Sequence, residues 1–201
     1  MEKVIVVISD DEDEMTEAHV EKEKVAIVTG DCVGVSVEGF HYKGFHCNGN
    51  NIELGDSVLV IVNVREKPYV GIIKDVTKEV DNSVMVNVQW FYRPEKTERK
   101  GGGCWKSQNT HEVFYTTHCD NVKAESVLHK CVVHFVPLNK ELPVRSKHPG
   151  LIVRRVYDAV EKKLWDMTHY KGDGDGAQIE IDSLIQKTRE RLGGFVDLLP
   201  T

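Results

Sequence analysis

Trp90-Phe91-Tyr92-Arg93-Pro94-Glu95 closes a Val-rich alternating run, Val84-Met85-Val86-Asn87-Val88-Gln89, and holds the residue types best suited to ligand recognition. On a strand, side chains two positions apart share a face and sit roughly 6–7 Å from each other, so Trp90 and Tyr92 can wall one small pocket. Tyr69, upstream in Pro68-Tyr69-Val70, can supply a third wall. Such a pocket suits a methylated ammonium group, which has lost hydrogen-bond donors but kept its charge. Each ring face it touches attracts it by roughly 0.5–2 kcal/mol.

The same alternation has a second reading. Val84, Val86 and Val88 fall on the face that carries Trp90 and Tyr92, so both aromatics could simply extend a buried stripe. The pocket reading requires the strand to run past the edge of its sheet near residue 89. Arg93-Pro94 agrees with that, because proline cannot donate to a ladder and marks where pairing stops.

Four blocks in order resemble the bromo-adjacent homology (BAH) domain of chromatin proteins. They are Gly55-Asp56-Ser57-Val58-Leu59-Val60, Pro68-Tyr69-Val70-Gly71-Ile72-Ile73, the Trp90 to Glu95 stretch, and His111 to Asp120 leading into Lys130-Cys131-Val132-Val133-His134. The likeness is firm over residues 53–137 and weakens after Pro137. It is nearest to plant BAH modules that read trimethyl-lysine on the histone H3 tail. That resemblance implies a cage of Tyr69, Trp90 and Tyr92, tail contacts from His118 and Asp120, a preference for the repressive mark H3K27me3, and a nuclear location. It also implies an all-β fold, a twisted antiparallel β-barrel with peripheral hairpins and a short C-terminal helix. No enzymatic activity and no cofactor are expected. Trp90→Ala is expected to abolish binding while leaving the fold intact. Without methyl-lysine selectivity, the domain would instead be an interaction scaffold.

Composition sets outer limits. A chain of 201 residues with 40% hydrophobic residues can bury one sizeable core. A net charge of −6 argues against nucleic-acid binding as the main task and suits a basic partner such as a histone tail. No apolar run of membrane length and no signal peptide occur, so no membrane partner is expected. Cys32, Cys47, Cys104, Cys119 and Cys131 have no regular spacing and are expected as free thiols. Nine histidines accompany them without a metal-ligand pattern, so no metal is expected. A hydrolase using Cys119 or Cys131 with a nearby histidine would need a thiolate-stabilising pocket, and both lie in strand-like patterns.

Val4-Ile5-Val6-Val7-Ile8, followed by Ser9 and the acids Asp10 to Glu14, resembles the short motif that binds the small ubiquitin-like modifier (SUMO). Such a peptide adds a strand to a partner's sheet edge while its acids meet basic residues. The aliphatics could equally form an edge strand of this chain, and the acids a solvated tail.

The expected organisation is an acidic tail over residues 1–20, a BAH-type domain over 21–175 and a helix and tail over 176–201. Strands are expected over Lys24–Thr29 and Val33–Val37, with Gly30-Asp31 turning between them, and over Val58–Val64, Val70–Val76 and Val84–Tyr92. Asn48-Gly49-Asn50-Asn51 reads as a turn. Leu151–Val160 and Leu164–Thr168 read as a hairpin, and Asp182 as the cap of a helix that ends at Gly193-Gly194.

Overall fold

The computed structural model describes residues 25–63, 65–170 and 175–198. In chain order the strands are β1 (Ile27–Val35), β2 (Phe40–Cys47), β3 (Asn50–Glu53), β4 (Ser57–Val60), β5 (Tyr69–Lys78), β6 (Val84–Tyr92) and β7 (Phe114–Lys123). They continue as β8 (Val127–Lys130), β9 (Val133–Phe135), β10 (Leu151–Val153), β11 (Arg155–Asp158) and β12 (Lys163–Asp166), followed by the helix α1 (Asp175–Leu192).

The Val-rich strands β5 and β6 lie at the centre of the main sheet, flanked by β2 and β4 on one side and β7 on the other. β5 pairs antiparallel with β6, and β6 with β7. Along β6, Val84, Val86 and Val88 are buried while Met85 and Asn87 are only partly covered, the alternation of a one-sided strand. From Gln89 to Phe91 every residue is buried. The reason is that two separate cores meet there. Trp90 joins Phe45, Val60, Val76, Val86 and Val88 on one face. Phe91 joins Val70, Tyr115, Phe135, Val156 and Ile181 on the other. In that second core Phe91, Tyr115 and Phe135 meet edge-on in pairs at 5.9–6.2 Å, each pair adding roughly 0.5–1.5 kcal/mol beyond its area.

Two glycine positions are forced by local geometry. Asn48 and Gly49 both have positive φ, 51° and 74°, and join β2 to β3 in a two-residue hairpin, the backbone that an Asn-Gly pair favours. Gly71 stands opposite Trp90, and a Cβ there would collide with Val88 Cγ1 and come within 2.9 Å of the Gln89 carbonyl oxygen. Its missing side chain lets β5 lie close against β6.

Several expectations are corrected. The strand pairings form an open path and do not close into a barrel among the described residues. The fold is mostly β rather than all-β, because α1 is 18 residues long and is not a short cap element. Asp182 sits inside it. Ala177, Ile181, Leu184, Ile185 and Thr188 form its core-facing stripe, which extends the helix towards the N-terminus. Gly193, at φ 75°, and Gly194, whose N–H bonds Arg189 O at 2.9 Å, do end it. Gly30-Asp31 does not turn the chain. Gly30, at φ 79°, instead accommodates a bulge within the single strand β1. Two pairings are parallel, β9 with β10 and β7 with β11. The hairpin expected over Leu151–Val160 and Leu164–Thr168 forms only between β11 and β12, because Leu151–Val153 pairs with β9 instead.

Candidate functional site

Tyr69 opens β5, Trp90 and Tyr92 end β6, and His118 and Asp120 lie on β7. What brings them together is a large irregularity in the β6–β7 ladder. Gln89 pairs with Cys119 and Phe91 with Tyr115, so Trp90 alone on β6 stands against Thr116, Thr117 and His118 on β7. The extra residues bow β7 outward, as a bulge does, and re-aim the side chains that follow. Polar groups hold the bow in place: Gln89 Nε2 donates to Thr116 O at 2.7 Å, and Thr116 Oγ1 donates to Trp90 O at 2.8 Å. Gln89 and Thr116 are both buried, so these bonds satisfy groups that water cannot reach.

The bow places β7 side chains against the aromatic end of β6. Asp120 Oδ2 accepts from Trp90 Nε1 at 2.8 Å and lies 3.3 Å from His118 Nε2. His118 Nδ1 is 2.8 Å from the Tyr92 hydroxyl, and the two rings meet edge-on with centroids 5.9 Å apart. Tyr92, His118, Asp120 and Trp90 therefore form one linked chain. Tyr69 stands against Trp90 at 5.9 Å with planes inclined at 66°. Arg93 Nη2 donates to Pro68 O at 3.2 Å and ties the start of β5 to the end of β6.

These residues line a cleft of about 680 Å³ that also meets Glu66, Glu95 and Lys96. Burial raises the Tyr92 phenol pKa, and the Asp120 charge adds to the rise, so the hydroxyl stays neutral. Trp90 is only 6% exposed. Both sequence readings of Trp90 thus apply to one ring, since it is packed into the valine core and also lines the cleft. Its burial corrects the expectation that Trp90→Ala leaves the fold intact.

All five sequence-predicted residues, Tyr69, Trp90, Tyr92, His118 and Asp120, line this single cleft. Val4, Ile5, Val6, Val7 and Ile8 lie outside the described residues. Sequence reasoning missed Tyr157 of β11, whose ring lies 5.7 Å from Tyr92 at 34°. It also missed Gln89 and Thr116, and the pair Glu66 and Lys96 at the mouth. No periodic signal marks them, because a bulge breaks alternation and Tyr157 reaches Tyr92 only through the parallel β7–β11 bridge.

Residues 50–168 match the family model for the BAH domain. The chain belongs to the BAH domain family. All five cleft residues fall within that match. This BAH domain is similar to two curated proteins of Arabidopsis thaliana: the chromatin remodeling protein EBS, 32% identical over 84 residues (41% of this chain and 35% of that protein), and the chromatin remodeling protein SHL, 35% identical over 95 residues (46% and 40%). The aligned segments thus span well under half the length of either relative. Among solved structures it resembles the yeast Rsc2 BAH domain, with a TM-score of 0.53 and 23% identity over 63% of this chain and 53% of that one, a likeness of fold.

Proposed function

We propose that this BAH domain is a chromatin reader that binds a trimethylated lysine of the histone H3 tail, H3K27me3 by preference, and supports transcriptional repression in the nucleus. The observation that carries the reading is the convergence of Tyr69, Trp90 and Tyr92 on one cleft, with Asp120 bonded to the indole N–H. A trimethylammonium has no hydrogen to donate and keeps its full charge, so ring faces satisfy it where water or a carboxylate would suit a bare ammonium better. The acids Glu66, Glu95 and Asp120 around the cleft are balanced by Lys67, Arg93 and Lys96, so the ring faces rather than a net charge favour the cation. Asp120, with its side chain about half exposed, can accept a tail amide or pair with a basic side chain beside the modified lysine, and His118, whose ring nitrogens meet Tyr92 and Asp120, can offer its ring face to a neighbouring tail residue.

Reading without catalysis agrees with the thiols. Burial pushes the Cys131 thiol up to about 12 and raises that of Cys119, the opposite of what a nucleophilic cysteine needs. The curated relatives' names place them in chromatin remodeling, which favours the same partner class.

A panel of modified and unmodified histone peptides tests the reading. The wild-type protein should bind trimethylated H3 peptides, H3K27me3 most tightly, and unmodified ones far more weakly. Tyr69→Ala should weaken the trimethyl complex by roughly tenfold, the worth of one cage wall, with little change in thermal midpoint because Tyr69 is only partly buried. Equal binding of modified and unmodified peptides by the wild type would sink the proposal.

A further inference from the structure

Glu66 lies on the connection between β4 and β5, and Lys96 ends the short 3-10 turn Pro94–Lys96 that follows β6. They meet at the mouth of the cleft. One carboxylate oxygen, Glu66 Oε2, accepts from the Tyr69 hydroxyl at 2.7 Å and from Lys96 Nζ at 2.8 Å. The same ammonium lies 5.8 Å from the centre of the Tyr69 ring. The Lys96 bond, joined by that of Tyr69, holds the Glu66 carboxyl below its ordinary range, and Glu66 in turn holds Lys96 protonated. At the other side of the cleft, Asp120 Oδ2 is engaged by Trp90 Nε1 and His118 Nε2.

This arrangement bears on which methylation state the cleft accepts. A monomethyl-lysine keeps two N–H donors, a dimethyl-lysine one and a trimethyl-lysine none. A free carboxylate beside aromatic walls favours the lower states, because a charge-assisted hydrogen bond is open only to an ammonium that still has hydrogens. A carboxylate already neutralised by a fixed ammonium gives no such preference. We infer that Lys96 sets the methylation-state selectivity of the cleft by occupying Glu66, so that a donorless trimethylammonium is favoured over mono- and dimethyl forms. The inference rests on the methyl-lysine reading above.

The test is titration of wild-type protein, Lys96→Met, the double variant Lys96→Met with Glu66→Gln, and Lys67→Met against H3 peptides carrying none, one, two or three methyls at K27. Removing any cation from the cleft raises affinity for every cationic peptide, so the informative quantity is the ratio of trimethyl to monomethyl affinity. Lys67 also lines the cleft and controls for that general effect. In Lys96→Met the ratio should fall at least about fivefold, since the uncovered carboxylate adds a charge-assisted bond to the monomethyl form that the donorless trimethyl form cannot make. The double variant should restore it, and Lys67→Met should leave it unchanged. Lys96 and Glu66 are exposed, so matched thermal midpoints are expected across the set. A ratio unmoved in Lys96→Met, or moved equally in Lys67→Met, overturns the inference while leaving the reader intact. Absence of binding to every peptide by the wild type overturns both.

Discussion

Trp90→Ala is expected to destabilise the fold by about 3–5 kcal/mol, the usual cost of emptying a buried aromatic site. The indole is 6% exposed and packs with Phe45, Val60, Val76, Val86 and Val88, so its removal leaves a void in the core under β5 and β6. Glycine at position 71 makes collapse onto that void difficult, because the backbones already lie as close as they can. Chemical denaturation should show the loss as an earlier midpoint with little change in slope. Peptide binding will be lost too, but in this variant the two effects are confounded. Trp90→Phe separates them. It keeps an aromatic face and most of the volume, and removes the Nε1 bond to Asp120, whose side chain is open enough to take water instead. Its stability cost should be far smaller, while methyl-peptide affinity falls.

The second large effect lies away from the cleft. Arg155→Leu should cost about 3–5 kcal/mol, because it strands a carboxylate that has no access to solvent. The Glu112 side chain is 4% exposed and receives Arg155 Nε and Nη2 at 3.0–3.1 Å, with the Ser107 hydroxyl as a further donor. The double variant Glu112→Met with Arg155→Leu should recover much of that loss, since a buried pair replaced by apolar groups is often near neutral. A double-mutant cycle by denaturation measures this coupling, and additive losses would contradict it. The pair matters to the site because β11 joins β7 by a single bridge, Val156 to Tyr115, and carries the Tyr157 ring against Tyr92.

Periodicity made the central sheet legible. Val84, Val86 and Val88 alternate with the partly covered Met85 and Asn87 and do form one buried face, and Asn48-Gly49 does turn the chain. Alternation failed where the environment stops being one-sided. Gln89, Trp90 and Phe91 are all buried because two cores meet across that part of β6. The bulge at Thr116 and Thr117 is invisible to any period-two reading, yet it is what brings His118 and Asp120 to the aromatic end of β6. The parallel pairings and the early start of α1 depend on contacts far apart in the chain, such as Phe135 N to Thr188 Oγ1 at 2.9 Å. Local propensity carries no record of such contacts. The proposed cage residues Tyr69, Trp90 and Tyr92 are marked by the ordered family blocks, because spacing alone leaves both core and pocket open.

The most direct test of the central claim compares two H3 peptides that differ only at position 27, one carrying trimethyl-lysine and the other its uncharged tert-butyl isostere of the same shape. Isothermal titration of the wild-type domain should show the cationic peptide binding at least about tenfold tighter, since ring faces attract charge and the two groups bury the same surface. Equal affinities for the two peptides would mean that the cleft recognises shape alone, and would contradict a cage of Tyr69, Trp90 and Tyr92 that holds its ligand by charge.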